Sequence, residues 1–433
     1  MKAHLIIELT TAIDRNLPNW EDILDDKGNA PTSSMQSLDF LLNKKYDVPY
    51  WLTYNFRPKN KEWSHDEIQS GFNKIYRLIL QKNQNIPKNL IEEIRLLPEV
   101  KEVKIGSIAT TEFPEKSETK SLSSRYRNNG VFLKEAHFYS KGSPQIKIAV
   151  LDTGFEVDHS EIKNAMLPGK DFVNIINGAN QFIGDFMGLD NLPEDEVGHG
   201  THVAGIIAGR GLKMPIGVVP NCKILPVKVL GALKRGNKIV GAGLIDNINN
   251  GIKWAVDQEV DVINMSLGIK HAGGGLPHEK VIKYALRKGV SIVAASGNDG
   301  KNDKYYPGAL PGVIAVGASD PSGRVAPFST YGGHVSLIAP GTNIYSSFLN
   351  NGYWASSGTS QAAPFVAGGI ALLKSFARDG GRRLSDKQAK YILKHSSDKV
   401  SNQYKDKRAG FGQINLLDAL KLLKYKFKIN SYV

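Results

Sequence analysis

Six short apolar runs, IKIAVLD, KILPVKVL, DVINMSLG, VSIVAASG, VIAVGASD and VSLIAPG, follow one another between residues 146 and 341. Helical patterns at 201–208, 244–258 and 279–288 separate several of them. Apolar strands without polar alternation, spaced by helices, predict a mainly parallel sheet covered on both faces, a three-layer αβα architecture. In such a sheet, functional groups gather beyond the carboxyl ends of the strands. No apolar run reaches the roughly 18 residues that a spanning helix needs. The start of the chain carries acids where a secretory leader has an apolar core, so a soluble cytoplasmic protein is expected. The single cysteine, Cys222, excludes an internal disulfide and reads as a small buried residue.

The strand ends carry unusual chemistry. IKIAVLDTG ends in Asp152, an acid that needs a partner beside an apolar strand, although a turn former reads the same way. GHGTHVAG sets His199 between glycines at the mouth of a helix. His202 lies three residues on, but no acid or cysteine at ligand spacing completes a zinc set. In SSGTSQAAPFVAGG, Ser360 opens a helix of small residues, with Pro364 expected in its first turn. A simple N-cap accounts for that segment alone. A serine hydroxyl becomes a nucleophile only with a base in reach, a group that orients the base, and donors for the developing oxyanion. Asn298, in VSIVAASGNDG, supplies a candidate donor.

Together VLDTG, GHGTHVAG, AASGNDG and GTSQAAP, in that order, resemble the subtilisin-like serine proteases, or subtilases. The resemblance covers roughly residues 126–423 and implies the family's parallel sheet and peptide hydrolysis. It implies Ser360 as nucleophile, His199 as general base and then acid, Asp152 as the group orienting His199, and Asn298 with the Ser360 backbone N–H as oxyanion hole. Ser266, Leu267 and Gly268 in NMSLG, and Gly241, Ala242 and Gly243 opposite them, resemble the two edges that hold an extended substrate. Gly297 belongs to the same groove, and Tyr305 falls where many relatives have a small residue, implying a narrowed primary pocket. The chemistry requires no cofactor. The loop IAGRGLKMPIGVVP is shorter and more basic than the one holding calcium in secreted relatives, so structural calcium is left without support. EDEVG before His199 reads either as a solvated acidic loop or as acids that meet a basic substrate residue.

Residues 1–106 read as a separate α+β unit, with strands at HLIIEL, WLTYNF and VKEVKI, a helix at NLIEEIRLL, and an amphipathic helix over 66–81 whose apolar face is Ile68, Phe72, Ile75 and Ile79. It resembles the ferredoxin-like propeptide domain of these proteases, which implies an intramolecular inhibitor, while its first 45 residues also allow a separate binding or regulatory domain. Residues 107–125 form a Ser/Thr/Lys/Glu-rich linker, and the overlapping stretch 106–120 is the candidate groove-blocking segment. Residues 424–433 read as a basic tail. Residues 371–433 hold 15 basic and 5 acidic residues, yet no nucleic-acid motif accompanies them, and nucleic acid is not an expected partner. Two other readings differ in class: a peptide-binding module of this fold without turnover, and an esterase. The second fails because GTSQA lacks the glycine two places after serine that the G-x-S-x-G elbow requires.

Overall fold

A computed structural model describes residues 4–23, 35–81, 85–87, 89–111, 116–117, 130–174, 181–186, 190–270 and 276–427. At the N-terminus, β1 (His4–Leu9), α1 (Gln36–Asp39), β2 (Tyr50–Tyr54), α2 (His65–Gln69), β3 (Ile75–Leu80), α3 (Leu90–Arg95) and β4 (Val100–Ile105) form a βαββαβ unit with the short α2 inserted between β2 and β3. Its antiparallel sheet runs β2-β3-β1-β4, the ferredoxin-like order. The amphipathic helix expected over 66–81 is not what forms. Gly71, in the left-handed region at φ 76, follows a helix that stops at Gln69, and β3 begins at Ile75. The misreading has a physical cause, since every residue of β3 is buried and the strand shows no polar alternation. Tyr76, Leu78 and Leu80 enter the unit's own core, while Ile75 packs into the core of the larger domain.

The larger domain is built on a seven-strand parallel sheet. Its strands are β7 (Lys147–Asp152), β8 (Lys170–Asp171), β10 (Lys223–Lys228), β13 (Val262–Met265), β15 (Ser291–Ala295), β17 (Ile314–Ser319) and β18 (Val335–Pro340), in the order β18-β17-β15-β13-β7-β10-β8. Successive side chains of a strand take opposite faces. Accordingly Ile148 and Val150 of β7 join a core with helices α5 (His199–Ala208), α8 (Thr359–Asp379), α9 (Asp386–Ser396) and α10 (Leu416–Phe427). Ala149 and Leu151 join the other core, with α6 (Ile245–Asp257) and α7 (Glu279–Arg287). These are the expected three layers. The short α4 (Leu133–Ala136) packs on the first of them. Helix α10 continues to Phe427, so the first four residues assigned to a basic tail form its last turn, and 428–433 lie outside the described residues.

Smaller sheets frame the carboxyl ends of the central strands. One contains β9 (Phe182–Ile183), β11 (Gly231–Arg235) and β12 (Lys238–Leu244); another pairs β14 (Ile269–Lys270) with β16 (Tyr305–Tyr306); a third pairs β19 (Ile344–Phe348) with β20 (Gly352–Ser356). The segment read as an exposed linker joins two of these. Its strand β5 (Ile108–Thr111) lies antiparallel on β12, with Thr111 opposite Gly241, Thr110 opposite Ala242 and Ala109 opposite Gly243. Its strand β6 (Lys116–Ser117) pairs with β20 at Ala355 and Ser356.

The N-terminal unit docks on α6 and α7. Phe56, Phe72 and Ile75 share their core, and the Phe72 ring meets Tyr284 edge-on at 5.0 Å. Lys253 Nζ lies 2.6 Å from Glu67 Oε1 and 2.6 Å from Asp257 Oδ2, all in the buried contact. Burial opposes ionisation of Glu67, but hydrogen bonds from Lys253 and the Ser64 backbone outweigh it and hold the carboxyl below its ordinary pKa. Arg77 donates to Asn247 and Asn55 beneath the Trp20 ring, 3.9 Å from its centroid. His4 reaches Asp246 at 3.3 Å. This is a desolvated polar interface, and removing one partner of such a contact leaves the other buried.

Candidate active site

Strand β7 delivers Asp152, which is fully buried. Its Oδ1 accepts the Thr153 backbone N–H at 2.8 Å and lies 2.6 Å from Nδ1 of His199, the first residue of α5. Fusing strand end and helix start this closely requires glycine. A Cβ on Gly200 would lie 2.1 Å from the Gly154 carbonyl oxygen. Helix α5 packs against α8, which carries Ser360 in its first turn.

Pro364 stands at the sixth position of α8 rather than in its first turn, and that placement has a consequence. The missing N–H leaves the Ser360 carbonyl without its i+4 donor. Ser266, just past β13, donates its hydroxyl to that carbonyl at 2.8 Å, and Ser360 Oγ donates to the Ser266 carbonyl at 3.0 Å. Asn264 Nδ2 in turn donates to Ser266 Oγ at 3.0 Å. A proline that breaks the helical ladder thus ties the serine to a strand end.

Asn298 follows β15 and lines the same cleft as Ser360. Its Oδ1 accepts the Thr359 N–H at 2.8 Å and the Thr359 hydroxyl at 3.0 Å. With the oxygen so engaged, the amide NH2 is the end left for a cleft ligand. Thr359 thereby orients this amide. The cleft is also lined by Leu267, Gly268, Gly297 and Tyr305 and by Ile108 and Ala109 of β5, and it is one end of a cavity of about 1350 Å³ that runs on to Ile6, Glu8 and Phe56 of the N-terminal unit. Gly241, Ala242 and Gly243 stand on the opposite edge, paired with β5.

Tyr305 occupies the cleft floor. A Cβ on Gly297 would come 2.4 Å from its ring, and one on Gly268 would come 3.2 Å from its Cβ. Its hydroxyl lies 3.3 Å from Asp299 Oδ2, and Lys270 bridges Asp299 at 2.7 Å and Asp303 at 2.6 Å. Burial opposes ionisation of Asp299, but Lys270 and Thr330 prevail and its pKa is pushed down to about 2. The floor is therefore polar, anchored and filled by an aromatic ring.

The EDEVG acids correct the solvated-loop reading. Glu194 is exposed, but Glu196 hydrogen-bonds to the fully buried Lys228 at 3.0 and 3.1 Å, and Asp195 turns inward. An acid just ahead of a helix N-terminus was the signal that could have revealed this. His202 contacts the carbonyls of Ile344 and Trp354, which is a packing role. Burial pushes the Cys222 thiol up to about 11, so it stays protonated.

The calcium site of secreted relatives does not fit the residues present. The loop after α5 points the N–H groups of Gly211, Leu212 and Lys213 at the Glu161 carboxylate, at 2.8, 3.1 and 2.7 Å. Calcium takes oxygen ligands, and this loop offers N–H donors to a carboxylate already satisfied. Among the described residues, Asp171, Asp185 and Asp190 bring carboxylate oxygens within 4.8 Å of one another, with Lys228 3.7 Å from Asp171.

A serine at a helix entrance, an imidazole on a buried carboxylate and a fixed amide donor are the parts of acyl transfer to water. Comparisons with known proteins agree. A profile of the subtilase family matches residues 143–412. The major intracellular serine protease of Bacillus subtilis (strain 168) is 37% identical over 306 residues, 68% of this chain and 85% of that protein. Thermitase of Thermoactinomyces vulgaris is 36% identical over 257 residues, 59% of this chain and 82% of that protein. Among solved structures, the prenylagaramide maturation protease PagA is similar with a TM-score of 0.56 at 30% identity, covering 67% of this chain and 98% of that one. A protease of Pseudoalteromonas arctica gives 0.60 at 29% identity, covering 71% and 100%.

Proposed function

The chain belongs to the subtilase family and is a subtilisin-like serine endopeptidase, and from that premise we propose that Ser360, His199 and Asp152 hydrolyse peptide bonds while the N-terminal unit holds the groove closed. Ser360 attacks the scissile carbonyl as His199 takes its proton. Asp152 fixes the His199 ring and stabilises the imidazolium that forms. Asn298 and the Ser360 N–H receive the oxyanion. His199 then gives that proton to the leaving amine as the C–N bond breaks. Water, losing a proton to His199, attacks the acyl-enzyme, so that Ser360 leaves with that proton and the acid product departs. The similarity to an intracellular protease supports action inside the cell.

One observation carries the latency: β5 adds as an antiparallel strand to Gly241–Gly243, the edge an extended substrate would use. The chain then reaches Ser356, four residues before Ser360, through β6. Residues 1–106 act in this reading as the inhibitory unit, and 107–117 as its blocking segment. A fluorophosphonate tests both parts. It should bind one site per chain and stop cleavage of an unfolded protein in step with labelling. Glu67→Ala, which removes the interface carboxylate and leaves Lys253 its Asp257 partner, should loosen the N-terminal unit and speed labelling about tenfold. Cleavage that survives full labelling would remove the proposed activity; equal labelling rates would remove the latency.

Tyr305 sets the preference at the residue before the scissile bond. Its ring fills the floor between Gly268 and Gly297, so small side chains fit and large aromatic ones do not. Tyr305→Gly should raise kcat/KM for peptides with phenylalanine there by about tenfold or more, and leave alanine peptides within a few-fold. Equal gains for both peptides would place Tyr305 outside the pocket.

A further inference from the structure

We propose that Asp195 is the positioning residue of this site, one carboxylate that fixes Asp152 and His199 relative to each other; the inference rests on His199 being the general base. Its five hydrogen bonds come from both sides of that pair. Oδ1 accepts the Thr153 hydroxyl at 2.9 Å, the Val197 N–H at 3.1 Å and the Gly198 N–H at 2.8 Å. Oδ2 accepts the Thr201 N–H at 3.1 Å and the Thr201 hydroxyl at 2.7 Å.

Thr153 directly follows Asp152. Gly198 directly precedes His199, and Thr201 lies two residues after it. Thr153 closes the circuit, because its hydroxyl oxygen accepts the Gly200 N–H at 3.1 Å. Ordinary helix capping does not account for this set. Helix α5 has Gly198 at its N-cap with no side-chain cap, and two backbone N–H bonds would satisfy that need. Asp195 also collects hydroxyls from two separate elements, the β7 turn and the first turn of α5. Its negative charge sits at the positive end of the helix dipole. Burial pushes Asp195 above its ordinary pKa, with Thr201 and the Gly198 N–H working against that shift. Nor is Asp195 free to meet a basic substrate residue, since both of its oxygens are committed.

Catalysis tolerates little misplacement, and an error of about 1 Å costs on the order of 10²-fold. The test compares Asp195→Asn, Thr201→Val and Thr201→Ser in the full chain with wild type, using peptide kinetics and the rate of fluorophosphonate labelling per competent site. Asp195→Asn should lower kcat and labelling rate about 10²-fold with KM within about threefold. Thr201→Val should lower both about tenfold and Thr201→Ser, which keeps the hydroxyl, should restore them; this pair decides the matter where Asp195→Asn does not fold. Wild-type rates per competent site, with only the melting temperature lowered, would overturn the proposal and leave a structural cap. So would a raised KM confined to basic substrates at unchanged kcat. Labelling of wild type is the control for the underlying reading: if it is absent, the protease mechanism fails and not the positioning role alone.

Discussion

Ser360→Ala should leave the purified chain whole, while wild type splits within residues 111–117 and both pieces stay together. Removing the hydroxyl leaves the fold untouched in volume terms. Ser360 Oγ makes one hydrogen bond, to the Ser266 carbonyl, and the tie from Ser266 back to the Ser360 carbonyl does not involve it. Turnover should fall by about 10⁶, the loss measured when the nucleophile of subtilisin itself is removed. Residual rate comes from the oxyanion donors and binding alone. The position of the cut follows from pairing on both flanks. Ile108–Thr111 pairs with β12 and Lys116–Ser117 with β20, and the cut is expected between these two paired segments. The fragments remain associated because the α6/α7 contact, with Lys253, Glu67 and Arg77 at its centre, does not depend on the linker. Intact mass and size exclusion read all of this. The same split in Ser360→Ala would assign the cut to another protease, and an uncut wild type that labels freely would remove the self-processing step.

The sheet and the placement of the candidate residues at its edge were legible because they rest on local grammar. Each apolar run ended within three residues of its observed strand, and Asp152, His199, Asn298 and Ser360 each stand where a strand or helix terminus presents them. What the sequence hid is what depends on distant partners. Strand β3 looked helical because its second face is covered too, Ile75 by the larger domain and Ile79 by Trp20 and Ile23, which erases the polar alternation that marks a strand. Asp195 and Glu196 looked like surface because their donors, Thr153, Thr201 and Lys228, come from other elements. Pro364 was read as a helix opener when its effect is to free a carbonyl for Ser266. Polar residues in a linear pattern read as exposed until the fold supplies the donors that bury them.

Asp152→Asn should lower kcat by about 10⁴ while the protein remains folded, and the geometry says why neither orientation of the new amide rescues it. Oδ1 now accepts from two directions, the Thr153 N–H and His199 Nδ1. Oδ2 is buried and has no hydrogen-bond partner among the described residues. If asparagine keeps its oxygen in the first position, its NH2 enters the second, a buried donor without an acceptor, at a cost of about 1–3 kcal/mol. If it turns over, the NH2 faces the Thr153 N–H and His199 Nδ1 together. It then favours the tautomer with the proton on Nε2, which offers Ser360 a donor where an acceptor is needed. In both cases the negative charge that stabilises the imidazolium of the transition state is gone. Substrate held along the proposed edges, Ser266–Gly268 and Gly241–Gly243, would not touch Asp152, so KM should hold within a few-fold while kcat and labelling rate fall together. A variant within tenfold of wild type would mean that His199 is oriented by something other than this carboxylate.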